Sequence, residues 1–426
     1  MPFLNKARWV TDKYILVMLG LFPLVTGLEG YDNITASKFG FFAAATALWL
    51  LVVLVFLAGG LLTGERYSLD VRPAHLAVGV FLAVGGVSAC LSEYGSVCLM
   101  GAGRYDGYLT SVLYGVIFFG VSLLGGKPRR RYAWALGFSA LICCAVAALQ
   151  LLGFDPFRLY PDGTNYYDKY TAYNAAFLGT IGNVGLLAAY LCVAAPLLTV
   201  FSVLSRHRRD RLLLIPAVLS LGILAGCDVD AGVVALAGAA VITVPMVIRK
   251  DRPAKTAAIV SAALTLAGLG ALYFWPGKSG TLFEMRQVLH GRLDDSFGSS
   301  RGQIWKQGWA LVKEHPWLGA GPGTAASRFD IQWYSEVRNQ TVAVTNAHNV
   351  YLGHLMNTGI LGLLGYLGII GCSAVTWFRR RRQGAMYPAL GAAILCCLIQ
   401  DFFGLGLSLT VPVLWVVWGL LETRTE

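Results

Sequence analysis

The chain has 426 residues, 56% of them hydrophobic and 13% charged, with 50 glycines, 11 tryptophans and a formal charge of +11. A soluble globular chain carries about 25% charged residues, so this composition excludes an ordinary soluble domain and implies an all-α polytopic membrane protein, one integral membrane domain over 1–426. The basic excess does not imply a nucleic-acid partner, because Lys and Arg sit in short clusters between apolar runs, as expected for loops on the cytoplasmic side of a membrane.

Apolar runs of about 20 residues cross a bilayer. The first, 14–28, follows Lys6, Arg8 and Lys13. It has the outline of a signal peptide but no small-x-small cleavage site, and is read as a first membrane helix. Further spans are predicted at 39–62, 74–91, 107–125, 132–152, 176–204, 211–226, 231–248, 256–275, 350–378, 385–402 and 405–422. That makes about 12 transmembrane helices. Run 176–204 is too long for one straight helix core, so its start is placed at the interface. One long polar loop, 276–349, separates spans nine and ten. With the N-terminus inside, the inner segments hold 22 basic residues against 4 in the short outer loops, one of which is Arg104. Both termini are then cytoplasmic and 276–349 is extracytoplasmic. Seven of the nine cysteines lie in apolar runs and no Cys-x-x-Cys occurs. No thiolate metal site is expected. The chain shows no internal repeat, which argues against many secondary-transporter folds.

Three outer features precede the long loop. The 153–175 loop carries Tyr160, Tyr166, Tyr167, Tyr170 and Tyr173. They suit an interfacial aromatic belt or faces for stacking on sugars. Gly179-Thr-Ile-Gly-Asn183 opens the sixth span, and Asn183 is a polar residue at the membrane boundary, read either as packing or as a substrate contact. Gly226-Cys-Asp228-Val-Asp230 places two acids at a tight turn. They are candidates for binding substrate or a divalent cation, or for capping a helix. Two carboxylates alone supply too few ligands for such a cation, so no metal is assigned.

In the long loop, Ile304, Trp305, Trp309, Leu311 and Val312 recur at helical spacing before Pro316. This predicts a short amphipathic helix lying on the membrane with its tryptophans down. Arg301 stands at its N-terminus, where backbone N–H groups favour anions and a guanidinium adds a planar phosphate donor. A headgroup contact is the alternative. Arg292 is a second candidate cation. Leu318-Gly-Ala-Gly-Pro-Gly323 is a turn rather than a P-loop, since no Lys-Ser/Thr follows. His348 heads the tenth span with Asn349 and Tyr351, and its ordinary pKa of about 6.5 suits a base near neutral pH. A helix-capping role is the alternative. His354, six residues on, does not share a helical face with it, so metal binding is not expected.

Ser300-Arg301-x-x-Ile304-Trp305, His315-Pro-Trp-Leu-Gly-Ala-Gly-Pro-Gly323, Ala347-His348-Asn349-x-Tyr351-Leu352 and Asn357-Thr-Gly359-Ile-Leu-Gly362-Leu-Leu-Gly365 together resemble the O-antigen ligase and polysaccharide polymerase family of bacterial membrane proteins. Gly179–Asn183 is similar to a further family segment. The resemblance implies a GT-C-like glycosyltransferase of the inner membrane. Such an enzyme moves a glycan from undecaprenyl diphosphate to a hydroxyl on a lipid- or glycan-bearing acceptor at the extracytoplasmic face, with no cofactor. It also implies that His348 and Arg301 are catalytic; Arg292, Asn349, Tyr351, Asn183, Asp228 and Asp230 are substrate-binding candidates from their own positions in the chain. The chain departs from the family at Cys227-Asp228-Val229-Asp230, where many relatives carry Ser-Arg. A polymerase of the same family and a twelve-span transporter or lipid-linked sugar flippase are the alternative readings.

Overall fold

Each of the twelve apolar runs contains a helix, several of them over only part of the run, in the computed structural model, which describes residues 2–68, 70–161, 164–168, 175–227, 229–248, 250–335 and 340–424. In chain order the helices are Phe3–Gly20 (α1), Ile34–Leu62 (α2), Pro73–Leu91 (α3), the one-turn Val97–Met100 (α4), Tyr108–Leu124 (α5), Arg130–Leu151 (α6), Val184–Leu204 (α7), Leu214–Gly226 (α8), Asp230–Val247 (α9) and Asp251–Tyr273 (α10). The polar segment adds Thr281–Leu289 (α11), Phe297–Glu314 (α12) and Ala325–Arg328 (α13). Val350–Arg380 (α14), Met386–Gln400 (α15) and Val411–Leu421 (α16) close the chain. Two antiparallel hairpins complete the described structure: Phe177–Leu178 (β1) with Gly182–Asn183 (β2), and Gln332–Ser335 (β3) with Gln340–Ala343 (β4).

Among the described residues, seven helices are long and apolar enough to cross a membrane: α2, α3, α6, α7, α9, α10 and α14. Helices α5, α15 and α16 are apolar but shorter. The last two are short because residues 401–410, expected to be mostly helical, form a buried turn that includes Asp401, Ser408 and Thr410. Irregular backbone at such depth persists only when protein surrounds it. Expected span 176–204 likewise begins in the β1–β2 hairpin rather than in helix.

Helices α7, α15 and α16 bury nearly every side chain and form the centre, with Trp418, Tyr132 and Tyr190 fully enclosed. Helix α10 buries none of its side chains, and Ile259, Val260, Leu264 and Leu266 point outward. Apolar surface on this scale is incompatible with water. The chain is an integral membrane protein, and that surface faces lipid.

Helix α14 is broken at Gly359 (φ 65°, ψ −168°), a backbone region that is essentially open to glycine alone. The break removes the ladder bonds from Ile360 to Met356 and from Leu361 to Asn357. The Gly-rich turn replaces them. Ile360 N–H donates to Pro316 O (2.8 Å) and Leu361 N–H to Trp317 O (3.2 Å). In return, Met356 O accepts from Ala320 N–H (3.1 Å) and Asn357 O from Gly321 N–H (3.0 Å). Arg328, its side chain 2% exposed, adds a bond to Met356 O and pairs with Glu314. Ser88 Oγ on α3 donates to Asn357 O (2.9 Å).

The polar segment has an apolar core of its own. Ile304, Leu311 and Val312 of α12 pack with Phe329, Val344, Leu352 and Met356. The expectation that α12 lies on the membrane with both tryptophans down is therefore corrected. Its apolar stripe is buried against α14, Trp305 is tied into the protein, and Trp309 is exposed. Helix α14 supplies an apolar partner inside the molecule, so the stripe needs no lipid.

A Cβ at position 359 would stand 2.3 Å from the Trp317 carbonyl, on top of a backbone cost of order 1–3 kcal/mol. Gly359→Ala should lower the apparent melting temperature of the detergent-solubilised protein by several degrees. Gly371→Ala on the same helix, where a Cβ meets nothing within 4 Å, should leave it unchanged.

Candidate active site

The site forms where the start of α14, the α4–α5 loop and α12 converge. Asn346 Oδ1 accepts the His348 N–H (2.9 Å), a local side-chain turn that puts His348 at φ 47°. Asn349 Oδ1 then caps α14 by accepting the Leu352 N–H (3.0 Å). Positive φ is uncommon outside glycine. The pair of turns holds the imidazole just ahead of the helix rather than within it. Trp305 Nε1 donates to Ala347 O (3.0 Å), which fixes α12 against this strand.

Arg301 comes from α12. Gly298, Ser299 and Ser300 before it all adopt left-handed angles, so regular helix starts at Arg301, as expected from the sequence. Its Nη1 donates to Gly298 O (2.6 Å), and its Nε is buried with no partner among the described residues. Arg104 enters from the α4–α5 loop. It donates through Nη1 to Thr345 Oγ1, and its Nε is likewise buried without a partner. Neither guanidinium is in an ion pair among the described residues. Burial lowers the pKa of both, opposed at Arg301 by Glu284 and at Arg104 by Asp106.

Burial, then the charges of Arg301 and Arg104, push the His348 pKa down to about 4. The imidazole is therefore neutral at physiological pH. Its ring nitrogens bond to nothing among the described residues, and it lines a cavity of about 170 Å³. A neutral ring can accept a proton, and two guanidiniums with free donors can hold a polyanion beside it.

The other expected site residues are scattered. Asn349 lines the cavity, with its side-chain oxygen engaged in the cap. Tyr351 is the second residue of α14, and its hydroxyl donates to Leu398 O (2.7 Å). Asn183 caps α7 through Gly185 and Leu186 N–H and does not line the cavity. Arg292 lines a separate groove with Lys278 and Glu284. Asp230 opens α9 and accepts from Thr281 Oγ1. Asp228 lies outside the described residues. Among those described, no three His, Cys, Asp or Glu side chains gather at one point. Tyr160 is buried with its hydroxyl on Phe177 O (2.5 Å), anchoring the β1–β2 hairpin, and Tyr167 donates to Leu151 O (2.7 Å). Tyr170 and Tyr173 lie outside the described residues.

Sequence reasoning did not single out Arg104 or Asp106. The available signal was that Arg104 is one of few basic residues in short loops predicted to lie outside, against the charge bias of the chain.

Residues 215–367 match the sequence family described as O-antigen ligase. The matched stretch runs from α8 into α14 and includes Arg301 and His348, but not Arg104, Asp106 or Asn183. Comparison with curated proteins finds no match.

The depressed pKa of His348 has a defined sign in stability. The unfolded chain takes up this proton near the ordinary value of about 6.5, the folded chain near 4. The contribution is fully present above pH 6.5 and is lost as pH falls from there towards 4. NMR titration of imidazole-labelled protein should place His348 near pH 4, and Arg104→Gln or Arg301→Gln should each raise it towards 6.5.

Proposed function

We propose, from the membership of residues 215–367 in the O-antigen ligase family, that this chain transfers a glycan from a polyprenyl diphosphate to an acceptor hydroxyl. The reading places the chain in the inner membrane with both termini cytoplasmic. The polar segment and the site then face the extracytoplasmic side, as the distribution of basic residues predicts.

One observation carries the reading: a neutral imidazole on a cavity wall, flanked by two guanidiniums with unused donors. Arg301 and Arg104 hold the diphosphate through charge-assisted bonds. The acceptor oxygen attacks the anomeric carbon and forms the new glycosidic bond. The bond from that carbon to the diphosphate oxygen breaks, and the electron pair leaves with the diphosphate. The hydroxyl proton passes to His348. The two guanidiniums stabilise the charge that develops on the leaving group. Bound diphosphate also offsets their effect on His348, so the imidazole becomes a better base when the donor is in place.

Ligase and polymerase share this chemistry and differ in the acceptor. The ligase reading follows the family match. A transporter needs no neutral base beside unpaired cations and gains nothing from this arrangement.

His348→Ala should reduce transfer by about 10²- to 10⁴-fold, and Arg301→Ala or Arg104→Ala by about 10²- to 10³-fold. Protein levels in the membrane should be unchanged. The measurement is glycan transfer from purified undecaprenyl-diphosphate donor to acceptor by reconstituted protein. Full transfer by His348→Ala would remove the base assignment.

A further inference from the structure

We propose that the cavity beside His348 is the acceptor subsite, and that it takes a single pyranose ring whose hydroxyls are held by Asp106, Tyr114 and Asn357. The inference rests on the transferase reading above.

The cavity, about 170 Å³, is smaller than the roughly 300–1,000 Å³ of ordinary ligand clefts. Its enclosed part has room for about one sugar ring. Three of the residues that line it each carry a buried polar atom with no partner among the described residues: Asp106 Oδ1, Tyr114 Oη and Asn357 Oδ1. Tyr114 is 9% exposed. A buried polar atom left unpaired costs about 1–3 kcal/mol, so three on residues lining one small cavity call for a ligand that supplies hydrogen bonds. The carboxylate and amide oxygens only accept, and the phenol both donates and accepts. A ligand rich in hydroxyls satisfies all three. The rest of the wall mixes small, aliphatic and aromatic side chains, among them Phe81, Tyr108, Tyr366 and Trp415, and aromatic rings of this kind can pack on the apolar side of a sugar ring.

The other organic group in this reading, the polyprenyl tail, fits poorly. It would leave all three polar atoms unpaired. The diphosphate fits no better, because the Asp106 carboxylate would repel it. Neither Arg301 nor Arg104 lines this cavity. His348 belongs to both environments, lining the cavity and feeling both guanidiniums. A base that takes the acceptor proton must touch the acceptor, and a ring held by Asp106 would present a hydroxyl to it.

The Asp106 loop is held in place by close backbone packing. A Cβ on Gly323 would lie 2.8 Å from Gly101 Cα and 3.2 Å from Gly107 Cα. The Gly-rich turn that bridges the α14 break therefore also sets this wall.

The test uses full-length protein in lipid nanodiscs and ligand-observed saturation-transfer NMR. The probes are the methyl glycosides of glucose, galactose, mannose, rhamnose and N-acetylglucosamine. At least one should bind the wild-type protein. Asp106→Asn should weaken that binding about 10- to 100-fold, the range for a hydrogen bond to a charged group. Tyr114→Phe, which removes a hydroxyl with no protein partner and leaves the fold intact, should weaken it severalfold. His348→Ala should still bind the glycoside while losing transfer. In the transfer assay, Tyr114→Phe should raise the KM for acceptor and leave the KM for donor unchanged. If none of the glycosides binds, or binding ignores both Asp106→Asn and Tyr114→Phe, the subsite is overturned whatever the transfer assay gives. If glycoside binding depends on Asp106 but His348→Ala transfers normally, the subsite stands and the base assignment falls.

Discussion

The interrupted ladder of α14 is the constraint on which the site depends. A helix inside a membrane satisfies its own backbone, and any break must be repaired by protein because lipid offers no hydrogen bonds. Here the repair comes from one short stretch, 316–321, which takes over both the freed N–H groups and the freed carbonyls. The exchange ties a surface turn to the middle of a spanning helix. It works only because Gly319 and Gly359 lack side chains: a Cβ on Gly319 would stand 2.3 Å from the Asn357 carbonyl carbon. Ser92 Oγ, just beyond α3, donates to Ala320 O (2.5 Å) and so joins a third element to the same stretch. The polar segment, α3 and the α4–α5 loop are thereby fixed relative to the start of α14.

That rigidity supports the electrostatics. Two guanidiniums near an imidazole would drift apart on mobile loops, and their charges would be screened by water. Here Arg301 is set by a left-handed turn and a docked helix, and Arg104 by a bond to Thr345, three residues before His348. The result is a base held uncharged by its burial and by its two cationic neighbours. A pKa near 4 describes a poor base in the empty site. Charge compensation by a polyanion would reverse part of that shift, which couples the arrival of donor to the competence of His348. Free imidazole in water has no such coupling, and it would be protonated by many weak acids without regard to substrate.

Much of this was legible in the residues. Apolar runs located a helix in each case, because a membrane imposes a length and a polarity on each span, but the bounds missed by eight or more positions at α1 and α7. Arg301, His348 and their local turns were legible because unusual polar residues stood at the borders of apolar or Gly-rich text. Two kinds of feature were not. The inward docking of α12 depends on a partner face on α14 that is distant in sequence, and an amphipathic stripe reads the same whether lipid or protein covers it. Arg104 and Asp106 lie in a seven-residue loop with no periodicity, and only the three-dimensional packing of Gly101, Gly107 and Gly323 brings that loop to the site. Asn183, Asn349 and Tyr351 show the converse. Each stands out as a polar residue at a membrane boundary, and each has its polar atom engaged by backbone.

The position of Arg104 bears on the turn at Cys227–Asp230, where the resemblance to the O-antigen ligase family leads one to expect Ser-Arg. This sequence reads Cys227-Asp228-Val229-Asp230 there, and Asp230 bonds to Thr281 rather than to any part of the His348 site. A site handling a diphosphate with Arg301 alone would face at least two negative charges with one cation, in a buried place where imbalance is costly. On the proposed reading, the α4–α5 loop would supply a second positive charge from outside the matched stretch 215–367. A cation can be supplied from any backbone that reaches the same point, since Coulomb attraction depends on distance and burial and not on chain order. The imidazole has less freedom. On the proposed reading it has to touch the reacting hydroxyl, so its position is tied to the turn at Asn346 and the head of α14, within the stretch that the family match covers.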